Sequence, residues 1–272
     1  MSLRIASWNV NSIRVRIDHL GKVVERYQPD LLCLQETKAA DPVFPTEPLV
    51  DWGYKYQALS GAVGAPGVAI LSRQPFVEVI ARDWCGRQDH RHVEVKLENG
   101  MWIDNYYVPA GGDVPDAAKN PKFAHKLQFL AEVAAHYRGS VTAKNGPAVL
   151  GKRLLVGDLN VAPLQTDVWS HKALKNTITH TETEIAALNK VFSAFEGIDV
   201  MRKFIPAEEP LFTWWSYRSK DWTINNRGRR LDHAWATPAL APHCTALTVA
   251  AETRSWNRPS DHIPVLVDLD MS

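Results

Sequence analysis

Short apolar runs in this chain repeatedly end in side chains that could do chemistry. Leu3 to Asn9 ends on Asn9 with Asn11 just beyond it, Asp30 to Glu36 closes on Glu36, and Arg153 to Gly157 runs into Asp158 and Asn160. The reverse also occurs: Asp232 lies near the start of an apolar run, and Asp261-His262 stand just before another. Between antiparallel neighbours the end of one strand lies beside the beginning of the next, so all these groups could meet at one sheet edge. Asp, Glu and Asn with one His and no Cys form a set of oxygen donors, suited to Mg²⁺ or Mn²⁺ rather than Zn²⁺. Phosphate-ester hydrolysis needs such a set. A hard cation offsets charge on the phosphate, a carboxylate deprotonates water, and neutral donors hold the phosphate in line. Taken singly, each residue reads as a turn former or helix cap, because Asp and Asn bond nearby backbone amides. Only their joint placement, each against its own apolar run, argues for a site.

The elements that must position these groups show in the hydrophobic pattern. Leu3 to Asn9 reads as a buried strand. Ile13, Ile17, Leu20 and Val24 follow at helical spacing, and Pro29 should end that helix near Gln28. Asp30 to Glu36 is a second buried strand. Strands are then expected at 54–59, 68–72, 76–81, 92–97 and 101–108, with Asn99-Gly100 as a hairpin turn between the last two. Helices are expected at 123–137 and 185–195, and further strands at 153–157, 231–236, 244–250 and 263–269. Hairpins mixed with a few helices point to an α/β or α+β fold, not to a regular βαβ repeat.

Bulk properties set broad limits. The 272 residues carry no low-complexity tract or linker, so residues 1–272 are read as one domain with an ample core. Three cysteines with no metal-type spacing read as small buried hydrophobes in a reducing compartment. The chain shows neither a secretory leader nor a run of ~20 apolar residues, so a cytoplasmic protein without a membrane partner is expected. A net charge of +1 announces no nucleic-acid partner, which leaves any such case to local clusters.

The motifs themselves carry a resemblance. Trp8-Asn9-Val10-Asn11, Leu34-Gln35-Glu36-Thr37-Lys38, Tyr107-Val108-Pro109, Gly157-Asp158-Leu159-Asn160, Arg230-Leu231-Asp232 and Ser260-Asp261-His262 resemble, in order, the motifs of the exonuclease III / abasic-endonuclease family. That family lies within the endonuclease/exonuclease/phosphatase superfamily. The resemblance spans the chain and implies a four-layer sandwich, two packed mixed β-sheets flanked by helices. It further implies a Mg²⁺-dependent phosphodiesterase, with Mn²⁺ as substitute, acting as a monomer on double-stranded DNA with abasic sites, nicks or blocked 3′ ends. Glu36 becomes the principal metal ligand, with Asn9 and Asp261 nearby. Asp158 orients or deprotonates water, Asn160 holds that water or a phosphate oxygen, and both also count among the metal ligands. His262, oriented by Asp232, contacts the phosphate, and Tyr107 donates to the phosphate or leaving group.

For DNA contact, Asn11, Arg14, Lys126 and Arg229 are the expected polar and basic groups. Arg16, Lys119, Lys122, Arg227, Arg230, Arg254 and Arg258 fill out the basic clusters. Trp214 and Leu231 match the family's pocket for a base-free sugar, and Trp256 is expected to support it. Two departures stand out. Ala110-Gly111-Gly112 follows Tyr-Val-Pro where the family continues with Asn, and the loop 164–171 carries bulky Trp169 and His171. A bulky loop implies that 3′-end processing outweighs incision at internal abasic sites. Two other readings stay open: a superfamily phosphatase acting on lipid or inositol phosphates, and a non-catalytic DNA-binding module.

Overall fold

The structure, a computed structural model, describes residues 2–141, 150–218 and 221–272. In chain order it runs β1 (Ser2–Asn9), α1 (Ile13–Tyr27), β2 (Leu31–Gln35), α2 (Thr46–Asp51), β3 (Tyr56–Ser60) and β4 (Val68–Ser72). There follow β5 (Phe76–Ala81), β6 (His92–Leu97), β7 (Trp102–Tyr107), α3 (Pro121–Val141), β8 (Arg153–Asp158), α4 (His171–Leu174) and α5 (Glu182–Ala194). The last stretch holds β9 (Ile198–Asp199), α6 (Val200–Phe204), β10 (Trp214–Trp215), α7 (Trp222–Asn225), β11 (Gly228–Arg229), β12 (Asp232–Ala236), β13 (Cys244–Val249) and β14 (Val265–Asp270).

Among the described residues, fourteen strands form two six-stranded sheets and a ribbon. The first sheet has the order β13-β14-β1-β2-β4-β3, the second β5-β6-β7-β8-β12-β9, and β10 pairs with β11. Each sheet is antiparallel except for one central pair, β1–β2 in the first and β7–β8 in the second. The period of two along each strand decides the layers. Leu3, Ile5, Leu31 and Cys33 point between the sheets, where they meet Val93, Val95, Leu154 and Val156. Ala6, Trp8, Leu32 and Leu34 point the other way onto Ile13, Leu20 and Val23 of α1. On the far side Tyr106 and Leu155 face Phe129, Leu130 and Val133 of α3 and Leu188 of α5. Each fully buried Leu or Ile contributes roughly 1.5–3 kcal/mol, so these three clusters hold the helix-sheet-sheet-helix stack together.

The expected strands appear with ends shifted by a residue or two; of the two later helices, α3 runs two residues earlier and four later than expected, and α5 starts three residues earlier. Helix α1 stops at Tyr27, where Gln28 turns left-handed (φ 48°) and donates its N–H to Val24 O. The expected start of β12 at Leu231 moves to Asp232. Strands β9, β10 and β11, two residues each, were not foreseen, because two residues cannot display a period. Cys33 and Cys244 are buried as read, while Cys85 is half-buried, and all three are free thiols.

One polar clasp crosses the core beneath the strand ends. Gln35 Nε2 donates to Asn105 Oδ1 (2.7 Å) and Ser7 Oγ (3.1 Å), and Asn105 Nδ2 donates to Leu34 O and Ala69 O (2.9 Å each). Gln35 precedes Glu36, and Asn105 lies two residues before Tyr107. The clasp therefore locks the two sheets in one register where the candidate catalytic groups leave them.

Candidate active site

Strand pairing brings the groups together. Parallel β1 and β2 place Asn9 level with Gln35, so Glu36 follows at the same edge. Antiparallel β8 and β12 set Asp158 directly opposite Asp232, the end of one strand against the start of the other. Parallel β7 and β8 set Tyr107 beside Asp158. A bridge between Trp214 and His262 adds the ribbon and the last loop.

Hydrogen bonds then close the constellation. Asn9 Nδ2 donates both to Glu36 Oε1 (3.0 Å) and to Asp158 Oδ2 (2.9 Å), so a single amide spans the two sheets. Tyr107 donates its hydroxyl to Glu36 Oε1 (2.8 Å). His262 Nδ1 donates to Asp232 Oδ2 (2.8 Å), while its Nε2 lies 3.5 Å from Asp158 Oδ2. Asn160 gives its amide hydrogens to Val108 O (2.9 Å) and Asp158 Oδ2 (3.2 Å), which turns its Oδ1 outward from those partners. Asp261 accepts from Trp214 Nε1 (2.9 Å) and Asn11 Nδ2 (3.0 Å). Thr213 Oγ1 accepts the backbone N–H groups of Leu231 and Asp232, fixing the start of β12.

The backbone is bent to make this fit. Asn11, Ser12, Glu36, Lys38 and Asn160 all take positive φ (46°, 85°, 49°, 48° and 53°). For Glu36 and Lys38 this is an uncommon conformation, held only because the surroundings over-determine it. Gly157 (φ 133°) permits the close β7–β8 approach ahead of Asp158, since a Cβ there would stand 2.0 Å from Tyr106 O.

Charge follows from burial and from neighbours. Burial raises Asp158 to about 7; Asp232 and Glu36 add to the push, while the His262 charge opposes it. Burial works against a charged His262, but Asp232, Asp158 and Asp261 outweigh it and lift the ring to about 10. Glu36 stays ionised: desolvation is overcome by hydrogen bonds from Asn9, Lys38 and Tyr107. Burial and the Glu36 carboxylate hold Tyr107 well above the ordinary phenol range, so it remains a neutral donor. Among the described residues no arginine bonds to Glu36, Asp158, Asp232 or Asp261, and Asp232 Oδ1 is buried without a partner. A concentration of carboxylate and amide oxygens with so little cationic compensation fits a hard divalent cation.

The structure adds Lys38 to the site. Its ammonium pairs with Glu36 Oε2 (2.8 Å) and donates to Asn11 Oδ1 (2.6 Å). A lysine two residues beyond a strand-end glutamate was the signal for it. Asn11 is the hub of this edge, tied to Asp261, Lys38 and Tyr217, and not a free donor awaiting DNA. Arg14 stands exposed near the start of α1, its guanidinium 3.3 Å from Lys38 O. Arg229 reaches Thr179 Oγ1 (2.8 Å) and lies over the Trp214 ring, and Trp214 packs against the cluster holding Leu231, Ala162 and Val168.

Three expectations fail. Lys126 is wholly buried, paired with Glu184 and donating to Asn160 O (2.7 Å), so it braces the catalytic loop from behind and cannot meet a phosphate. Arg230 is likewise buried, committed to Asp167 and Asp199. Trp256 packs beside His19 of α1 (5.2 Å between rings), in a different cluster from Trp214 and Leu231. Arg230 and Trp256 lie in or within a few residues of a motif and Lys126 does not, but the side chains of all three point into other layers.

This geometry has close counterparts. The chain is 30% identical over 275 residues to the exodeoxyribonuclease III of Haemophilus influenzae, covering 97% of this chain and 98% of that one. It superposes with a TM-score of 0.88 on a Neisseria 3′ phosphatase, NExo, solved with a product DNA hairpin (29% identity, 98% and 99% coverage). The same TM-score relates it to an AP endonuclease from Archaeoglobus fulgidus (32% identity, 99% and 100% coverage). The model of the Endonuclease/Exonuclease/phosphatase family matches residues 6–262, and with the relatives above this places the chain in that family, on its exonuclease III branch.

Proposed function

We propose that the protein hydrolyses phosphodiesters of damaged DNA, at abasic sites and at blocked 3′ ends, as a monomeric Mg²⁺-dependent enzyme of the cytoplasm. One observation carries the reading: Glu36, Asp158, Asn160, Asp232 and His262, from four separate parts of the chain, converge on one network beside Asn9 and Tyr107. Among the described residues no helix is long and apolar enough to cross a membrane. Glu36, with Asn9, Asp158, Asn160 and Asp261 around it, would hold the cation, which when bound offsets phosphate charge and acidifies water.

The chain's own residues do the rest. Asp158, raised toward neutrality by burial, is poised to take a proton from the attacking water. Asn160, fixed by two donated bonds, orients that water or a phosphate oxygen through its amide oxygen. His262, held cationic by Asp232, offers Nε2–H to the phosphate as its negative charge develops. Tyr107 keeps its proton and donates a hydrogen bond to Glu36, which holds that carboxylate ionised and aimed.

Within this activity we favour chain ends over internal abasic sugars. The loop bearing Trp169 and His171 is stitched to the ribbon: Trp169 N–H reaches Gly228 O (3.1 Å), and Val168 bridges Arg229. Arg227 lies over the Trp169 ring (4.7 Å), and His171 bonds His180 (2.8 Å), which is anchored on Ala162 O (2.6 Å). These bulky, mutually braced groups flank the cluster of Trp214 and Leu231, and they leave less room for a sugar swung out of a duplex. One gel tests both levels, comparing an abasic duplex, a recessed end and a 3′-phosphate nick, with Mg²⁺ or EDTA. Cleavage that persists in EDTA would refute the metal, and equal specificity constants on the abasic duplex and the nick would refute the preference.

A further inference from the structure

Lys126 of α3 and Glu184 of α5 are both 0% exposed and form an ion pair inside the protein. An ammonium has three hydrogens, and each finds an acceptor here: Glu184 Oε1, Asn160 O (2.7 Å) and Ala110 O (3.3 Å). Asn160 follows β8 and Ala110 follows β7, so both carbonyls belong to segments that carry catalytic groups out of the sheet. Glu184 is used as fully. It accepts the Thr179 N–H on both oxygens (3.0 Å each), and the N–H and hydroxyl of Thr181 (3.2 and 2.6 Å), which closes the capping box of α5. Thr179 takes φ 88°, an outlier for a β-branched residue, and its carbonyl receives the N–H of Ala162 (2.7 Å), two residues beyond Asn160. The glycine after Ala110 follows from the same packing. A Cβ on Gly111 (φ 94°) would stand 3.0 Å from Lys126 Cδ, so the Ala-Gly-Gly departure from the family pattern gives this lysine its room.

Stability is a poor reason for such a pair. Taking two charges out of water costs several kcal/mol per ion, and well-packed apolar residues of similar volume often hold a fold as well. What apolar residues cannot supply is a donor for two main-chain carbonyls beside the catalytic groups. We propose that Lys126 is a positioning residue for the hydrolysis: its ammonium fixes the Asn160 and Ala110 carbonyls and thereby aims the Asn160 side chain. Asn160 sits in the left-handed region (φ 53°), with its N–H on Asp158 Oδ1 (3.0 Å) and its amide on Val108 O and Asp158 Oδ2. All of those partners lie on the catalytic segments themselves. Lys126 adds a hold from α3, a long helix that carries none of the motifs. Without it the peptide after Asn160 is free to tilt, and the amide oxygen that faces water or phosphate turns with it. The role in turnover rests on the activity proposed above; the geometry that serves it does not.

The test is Lys126→Met/Glu184→Gln, which removes both charges together while the glutamine carbonyl still accepts from Thr179 and Thr181, so that the capping box survives. On a 3′-phosphate nick, kcat of the folded variant should fall at least about tenfold with KM within about threefold of the wild type. Its crystal structure should show the Asn160 amide displaced from Val108 O by ~0.5 Å or more. A folded variant with wild-type kcat, or with Asn160 unmoved, would overturn the proposal, because a pair that only stabilises leaves both unchanged. Should that variant not fold, Lys126→Gln/Glu184→Gln, whose amides can bond each other but are too short to span both carbonyls, takes its place with the same two expectations. A crystal structure of the wild type with Lys126 Nζ turned away from Asn160 O would overturn the proposal whatever the variants do. Wild-type protein that cleaves no DNA would instead sink the activity, while the displacement of Asn160 could still be read.

Discussion

Two buried clusters in this molecule are built from nearly the same parts. Asp158, Asp232 and His262 form one, and His92, Glu94 and Asp104 form the other, each with ligand atoms within 4.8 Å of one another. They differ in what balances the carboxylates. In the second cluster Arg153 Nη1 bonds Glu94 (2.7 Å) and Asp104 (2.8 Å), and Arg82 bonds Glu94 (2.9 Å). Burial pushes Asp104 up, but Arg153 and His92 hold it far below the usual carboxylate range. The His92 ring is stacked on Tyr106 at 3.9 Å, well inside the sheet. The first cluster has no arginine, sits at strand ends, and leaves Asp158 raised and Asp232 Oδ1 unpaired. Composition alone therefore does not make a site. A buried carboxylate balanced by arginine is structure, and one left to a single histidine at an open edge can do chemistry.

The sharpest way to break this contrast is to neutralise one acid in each cluster. Asp158→Asn and Glu36→Ala should each cut turnover by ~10³-fold or more at saturating Mg²⁺ with an unchanged circular dichroism spectrum. Glu94→Gln should leave turnover per folded molecule where it was. A catalytic loss in Glu94→Gln equal to that in Asp158→Asn would erase the distinction. The converse substitution attacks the structural cluster. Arg153→Met strips Asp104 of its arginine and leaves Glu94 with Arg82 alone, and should cost about 3–5 kcal/mol in denaturant unfolding, with kcat of the folded fraction retained.

Smaller effects sharpen the picture. Asn105→Ala removes the cross-sheet clasp, taking one acceptor from Gln35 Nε2 and the Asn105 amide from the carbonyls of Leu34 and Ala69, for a cost of roughly 2–3 kcal/mol and a measurable fall in kcat. Loss of stability without any kinetic change would show that the clasp does not govern the site. Mg²⁺ should raise the melting temperature of the wild type, and Glu36→Ala should lose that increment, because only the uncompensated cluster gains from a cation. The mildest effect is in pH. Burial and Arg82 lower His136, near the second cluster, to about 4. Unfolded, the same ring takes a proton near 6.5. The folded protein binds fewer protons in that window, so its stability should fall as pH drops from about 6.5 toward 4, and His136→Asn should flatten the slope.

Much of this is legible in the sequence, for one reason. Strands buried on both faces are written as continuous apolar runs, so the polar residue that ends each run is conspicuous. Asn9, Glu36 and Asp158 stand out at the ends of such runs, and Asp232 and His262 at their beginnings. The supporting groups had no such contrast. Thr213 and Asn105 read as unremarkable polar residues, and Gln35 as part of a run. The basic residues misled where they did because proximity in sequence says nothing about direction. Lys126 sits on the buried face of α3, and Arg230 lies two residues before a strand that alternates between layers.

The sequence by itself determined which segments become strands, where each ends, and hence which oxygens are offered at one edge, because these depend only on local period and local polarity. Only the tertiary structure decided which offered charges are cancelled. That depends on Arg153 reaching across to β6 and β7 while, among the described residues, no arginine reaches Asp158 or Asp232, and ion pairing between distant segments leaves no local mark on the chain.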